Sequence, residues 1–398
     1  MRRHTRTISR TALLATALLA GAAAAIEEGE QRARIEFETR KFEEQIEHSS
    51  ILFDDPELNA YLQEVTDRMF PEMNGRLRVR TFRDPDFNAF AVATGGIYFH
   101  TGTLLRLDDE AQLASVLGHE GTHVTADHMY RHIKAAKSAS VITLIGGLTA
   151  AGFGVPPELV QIIGYSSMAG FSRSYERESD RGGFDRMVAV GYDARAGAEA
   201  FARLERELKA RFINQGPYFF ASHPAVKDRV TTLLEFGGEN PPPGERYVDR
   251  YREKTLRARM NALEQIHRAG NGRVLVFLLE EEKLIDTLPP EARYYLAEGF
   301  RLRAEKSRKV AGDKRQPAEI EAQRVADAAR AVEEYERTLA ASPEFGPTYE
   351  SFAMVQYRSG SRARALELLR RYVELTPDPK KTGYARQTIE LLRKELGQ

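Results

Sequence analysis

The period of the hydrophobic positions changes several times along the chain. Residues 11–19 are an apolar run and residues 20–25 are small, and the first acids follow at Glu27 and Glu28. From 26 to 46 the apolar residues Ile35, Phe37, Phe42 and Ile46 fall at helical spacing within a charged stretch, which predicts an amphipathic helix. A second helix is predicted after Asp54-Asp55-Pro56, where an acidic cap and an early proline precede Leu58, Leu62, Val65 and Met69. Residues 77–82 alternate with period two, and Ile97-Tyr98-Phe99 is a short β-prone run between glycines, so both are expected in a small sheet. Asp108 and Asp109 then offer N-caps to a helix whose Leu113, Val116, Leu117 and Val124 form one apolar stripe.

The Gly237-Gly238-Glu239-Asn240-Pro241-Pro242-Pro243-Gly244 stretch can continue neither a helix nor a central strand and marks a boundary. Residues 245–285 read as bridging helices. Beyond them Pro343 and Pro377 lie 34 residues apart, as do Ala331 and Ala365, Tyr335 and Leu369, and Ser342 and Thr376. That period, with a small residue, a large apolar residue four later and a closing proline, is the tetratricopeptide pattern. Tyr349, Phe352 and Ala353 stand where a first repeat helix packs, residues 306–321 read as a charged insertion splitting the earlier unit, and residues 391–396 fall in a terminal capping helix.

The chain has 398 residues, 42% hydrophobic and 29% charged, which is too much for one compact domain. Its 58 basic and 58 acidic side chains balance, but Arg2, Arg3, Arg6 and Arg10 all precede the first acid. A basic, then apolar, then small-residue leader is the layout of a secretory signal peptide, with cleavage expected near Ala25 and an exported, periplasmic destination. Without those arginines the chain is mildly acidic, which argues against nucleic-acid binding. There is no cysteine, so thiolate metal sites, disulfides and cysteine nucleophiles are excluded. Residues 141–155 are apolar, but they carry four glycines and are too short to span a bilayer. They are expected beside the active site, with peripheral membrane contact as their widest role.

His119-Glu120-Gly121-Thr122-His123 is an HExxH motif on the helix after Asp109. Residues four apart on a helix lie one above the other, so both imidazoles can meet one metal ion. Glu120 is turned about 100° from His119, close enough to handle a water without filling a ligand position. A catalytic zinc needs a third protein ligand, and no histidine follows at metzincin spacing. Glu176 and Asp180, four apart in a probable helix, are the leading candidates, one to bind metal and one to brace a ligand histidine. Glu178 points about 200° from Glu176 and reads as solvated or salt-bridged.

Together these segments resemble the gluzincin metallopeptidases related to HtpX, Oma and the CAAX prenyl protease. The resemblance is carried by Asn88-Ala89-Phe90-Ala91, Gly95-Gly96, Thr101-Gly102-Thr103-Leu104-Leu105, His119 to His123, and Ser172-Arg173 through Asp180. It spans about residues 30–235 and implies one zinc ion per chain held by His119, His123 and Glu176, with Asp180 behind a ligand imidazole, that of His119. His128 matches a histidine common in the family, and His223-Pro224 with Arg229 matches its His-Pro-x-x-x-x-Arg segment. The resemblance implies that His223 lies near the zinc, either restraining activity from the open metal position or aiding the reaction. Two departures stand out. Gly121-Thr122 replaces an aliphatic-Gly pair, which implies a looser motif helix, and Ser179 replaces alanine.

The expected architecture is α+β and mainly helical. A leader (1–25) precedes a zincin-type peptidase domain with a small sheet (26–236), bridging helices (237–285) and an all-α tetratricopeptide-like domain (286–398). The expected chemistry is peptide-bond hydrolysis with Glu120 as general base. The strand at Ile97, Tyr98 and Phe99, if it lies at a sheet edge, would hold an extended substrate. The family's periplasmic members imply unfolded or misassembled protein clients, and outer-membrane assembly machinery as a partner of the repeats. The rival expectation is a chaperone or adaptor whose metal site is plugged or vestigial.

Overall fold

The computed structural model describes residues 10–73, 75–135, 171–210, 226–306 and 315–398. A long first helix, α1 (Arg10–Glu47), is followed by α2 (Pro56–Met69). Asp55 caps α2 by accepting a hydrogen bond from the Leu58 amide (3.1 Å), and Pro56 sits in the first turn, where no backbone donor is needed. Three strands follow: β1 (Arg78–Phe82), β2 (Ala89–Ala91) and β3 (Gly96–His100). Next come α3 (Thr101–Arg106), α4 (Glu110–Thr125), α5 (His128–Ala135), α6 (Arg173–Ala189), α7 (Ala196–Ala210) and α8 (Val226–Gly237).

The strand order is β1-β3-β2, with β3 parallel to β1 and antiparallel to β2. Ile97 faces Val79 on one side and Ala91 on the other, and Phe99 faces Thr81 and Ala89. The segment Ile97–Phe99, expected to offer an edge to substrate, is therefore the centre of the sheet. Both of its hydrogen-bonding sides are already used, so it cannot accept a further strand. Its faces are covered as well. Ile97 and Phe99 join Val79 and Ala89 in the core with Leu113 and Leu117 of α4. Tyr98 stacks on Phe82 and Phe90 (ring centroids 5.0 and 5.2 Å apart) beside Phe42 and Ile46 of α1. The outer strand of this sheet next to α4 is β2.

Asp109 caps α4 by accepting from the Gln112 amide (2.8 Å), whereas Asp108 instead pairs with Arg203 of α7 (2.8 Å). The single apolar stripe expected for α4 is too modest a description, because every residue from Glu110 to His123 is buried. The helix is enclosed by α2, the sheet, α6 and α7. Gly121 does not loosen it. A Cβ there would stand 2.4 Å from the Phe70 ring, so the missing side chain is the space that Phe70 fills. Likewise α4 and α6 cross backbone to backbone at Gly118 and Gly183, where a Cβ on Gly183 would lie 2.7 Å from the His119 amide nitrogen.

Helix α9 (Val248–Arg268) links two cores. Tyr251 and Ala258 pack with the α2, α4 and sheet residues, while Leu263 and Ile266 pack with the C-terminal helices. Those helices are α10 (Gly272–Val276), α11 (Ala292–Glu305), α12 (Pro317–Ala341), α13 (Gly346–Arg358), α14 (Arg362–Leu375) and α15 (Pro379–Glu395). Of the residues matched by the 34-residue period, Ala331, Tyr335, Ala365 and Leu369 are all buried in this second core with Phe352 and Ala353, and Tyr349 is partly buried against it. Among the described residues no helix is long and apolar enough to cross a membrane. The apolar segment 141–155 lies outside the described residues.

Candidate metal centre

Helical spacing on α4 brings the His119 and His123 Nε2 atoms to 3.0 Å from each other. Glu176, in the first turn of α6, approaches from the facing helix, its carboxylate oxygens 3.7 Å from His119 Nε2 and 3.5 Å from His123 Nε2. All three side chains are buried, and they form the one group of potential ligands found among the described residues. Tetrahedral zinc with bonds near 2.0–2.1 Å separates its ligand atoms by about 3.3 Å, so this donor set fits the ion in both chemistry and spacing. Two imidazoles and one carboxylate are the three protein ligands that a catalytic zinc takes. Glu120 is buried in the same helix, one residue on from His119.

The backs of the ligands are held too. Asp180 accepts a hydrogen bond from His119 Nδ1 (2.9 Å), and Arg229 of α8 donates to Asp180 (2.6 Å) and lies 2.9 Å from the same imidazole nitrogen. An ionised carboxylate can only accept, so the contact with Asp180 places the proton on Nδ1 and leaves Nε2 unprotonated for a metal. Burial, followed by the positive charge of Arg229, pushes His119 down to about 4, so it is neutral near pH 7. Burial would raise Asp180, but the charge of Arg229 and the bond from His119 outweigh it and hold the carboxyl well below its usual range. Arg229 stacks its guanidinium 4.0 Å from the Phe201 ring centroid, which ties α8 to α7 behind the site.

Residues 55–236 match the model of peptidase family M48. Those residues are an M48 domain. Over 203 residues the chain is 32% identical to a Vibrio cholerae protein that provisionally carries the name beta-barrel assembly-enhancing protease, covering 48% of this chain and 41% of that one. It is 26% identical over 200 residues to the beta-barrel assembly-enhancing protease of Escherichia coli K12, covering 47% and 40%. To the mitochondrial metalloendopeptidase OMA1 of Schizosaccharomyces pombe it is 27% identical over 159 residues, covering 40% and 46%. The matched region spans less than half the length of each of these relatives.

Within the M48 domain, the two HExxH histidines, Glu176 and Asp180 lie together, and Arg229, which the sequence offered only as part of a segment match, joins them. His223 lies outside the described residues. Ile97, Tyr98 and Phe99 do not line the narrow groove beside His123, whose free volume is about 20 Å³. Its walls include Ala91, Val92 and Ala93 at the end of β2, Phe171 stacked on His123 (4.2 Å, 24°), and Arg32, Ile35 and Glu36 of α1. Nothing in the spacing of the motif pointed to α1 or β2, because each reaches the groove only through long-range packing. Glu178 is half-exposed and pairs with Arg131 (3.1 Å), as its helical angle suggested, yet it also faces His128 (3.1 Å).

Proposed function

We propose that this chain is an exported zinc-dependent endopeptidase acting on unfolded or misassembled proteins, with work in envelope protein quality control. The observation that carries the reading is the convergence of His119, His123 and Glu176 in a buried M48 site backed by Asp180 and Arg229. A zinc ion in that site would supply Lewis acidity to activate a water and polarise the scissile carbonyl. Glu120 takes the proton from the water and delivers it to the leaving amine. Asp180 keeps the His119 proton on Nδ1 throughout, and Arg229 keeps Asp180 ionised. An extended substrate would lie along β2 rather than β3, because β2 ends in the groove beside His123. His223 is proposed as a further residue of this site, restraining or aiding the reaction.

The leader is proposed to direct export and to be removed near Ala25, and α11–α15 are proposed to be tetratricopeptide-like repeats that hold clients or assembly machinery. Names of the relatives and the buried 34-residue period support these parts of the reading. The test is Glu120→Gln in the full chain. It should lose casein cleavage while keeping one zinc ion, since Glu120 is not a ligand. Cleavage retained by a clean preparation would sink the assignment.

A further inference from the structure

The motif histidines are not braced alike. His119 rests on a carboxylate, but behind His123 stands a third imidazole. His128, wholly buried at the start of α5, places its Nδ1 3.0 Å from His123 Nδ1. Two ring nitrogens at that distance share one proton. Since His123 turns Nε2 toward His119 and Glu176, its own proton is on Nδ1 and is donated to His128. His128 must therefore be the acceptor, with its proton on Nε2, the atom that faces Glu178 Oε2 at 3.1 Å. The Ser179 hydroxyl lies 3.2 Å from the same His128 Nδ1 and can donate to it. Two donors thus meet on one lone pair and specify a single tautomer.

The rings are also clamped. Tyr175 stacks on His128 (4.6 Å, 16°), Arg131 lies 4.5 Å from the Tyr175 ring centroid, and Phe171 stacks on His123. Because its Nδ1 is committed to His123 and Ser179, His128 is not a fourth ligand.

We infer that His128 is a positioning residue for His123, held in its accepting tautomer by the Ser179 hydroxyl. This inference rests on the metallopeptidase reading and extends it. One short stretch of α6 then organises the whole centre. Glu176 is a ligand, Asp180 orients His119 directly, and Ser179 orients His123 through His128. The crossing at Gly118 and Gly183 fixes the register of α6 against α4, so both braces are set by one helix–helix contact. Ser179, which stands where the family pattern has alanine, adds a donor that alanine lacks.

The test measures zinc affinity by chelator competition, and the visible spectrum of the cobalt-substituted protein, on the full chain. His128→Ala should weaken zinc about 10- to 100-fold and shift the cobalt bands. His128→Asn, which keeps an acceptor near the position of Nδ1, should recover most of both. Ser179→Ala, a small change expected to fold, should weaken zinc by about 2- to 5-fold through the lost hydroxyl. Affinities and cobalt spectra unchanged in His128→Ala, or unchanged in Ser179→Ala together with no rescue by His128→Asn, would overturn the inference. A wild-type chain that binds zinc tightly while the variants match it defeats the positioning role alone. A wild-type chain that binds no zinc defeats the metallopeptidase reading with it.

Discussion

Replacing Gly183 by alanine should weaken zinc binding more than it weakens the fold. A Cβ at this position would stand 2.7 Å from the His119 amide nitrogen and 2.8 Å from the Gly118 carbonyl carbon, whereas ordinary contact begins at 3.4 Å. Both opposing atoms are helix backbone, so the helices themselves must part, by about 0.7 Å if translation alone relieves the clash. The bond from His119 Nδ1 to Asp180, now 2.9 Å, would then open to about 3.6 Å, beyond hydrogen-bond reach. Glu176 would withdraw from both imidazoles by a similar amount. Loss of the orienting partner predicts zinc affinity lower by about 10- to 100-fold. Overpacking costs about 1–3 kcal/mol, and the better helix propensity of alanine offsets about 1 kcal/mol, leaving a net loss of about 0–2 kcal/mol. Chelator competition and urea unfolding measure the two effects separately. An alanine variant with wild-type zinc affinity and an unchanged unfolding midpoint would refute the argument that this close crossing sets the site.

Gly121→Ala should destabilise the chain by about 1–3 kcal/mol through its clash with Phe70, despite the gain in helix propensity, and Phe70→Leu in the same chain should recover part of that in urea unfolding. No recovery would mean that Phe70 is not what excludes a side chain at 121. In the C-terminal core, burial would raise the Glu298 carboxyl, but hydrogen bonds from His267, Arg301 and Tyr335 prevail and lower it to about 2. A carboxyl held below its unfolded value contributes stability above that value and loses it as pH falls, here from about 4.5 down to about 2. Over that window Glu298 should account for a loss on the order of 3 kcal/mol. Glu298→Gln should show a shallower acid dependence of the unfolding free energy, and an identical slope would contradict the assignment.

Much of the site could be read from local spacing. An interval of four on a helix puts His119 above His123 and Glu176 above Asp180 whatever the rest of the chain does, because the helical repeat is a backbone property. Capping residues act just as locally, and Asp55 and Asp109 both start helices where their sequence neighbours required. The less legible features are those made by partners far apart in sequence. Gly121 looked like a weakness in the motif helix until Phe70 was seen to occupy the space above it. Asp108 offered the same cap as Asp109, but Arg203 claimed its carboxylate.

By itself, then, the sequence determined the pair of imidazoles on one helix, the acidic helix that answers them, the absence of thiolate ligands and the helical periodicity of the C-terminal region. All of these follow from short-range geometry or from composition. Only the tertiary structure decided that Ile97–Phe99 runs through the middle of the sheet. Strand order depends on β1 reaching past β2 to pair with β3, which no local pattern encodes. The same holds for His128 and Ser179, which lie 51 residues apart in the chain yet come within 3.2 Å behind the candidate metal centre because α6 packs on α4, the helix that α5 follows.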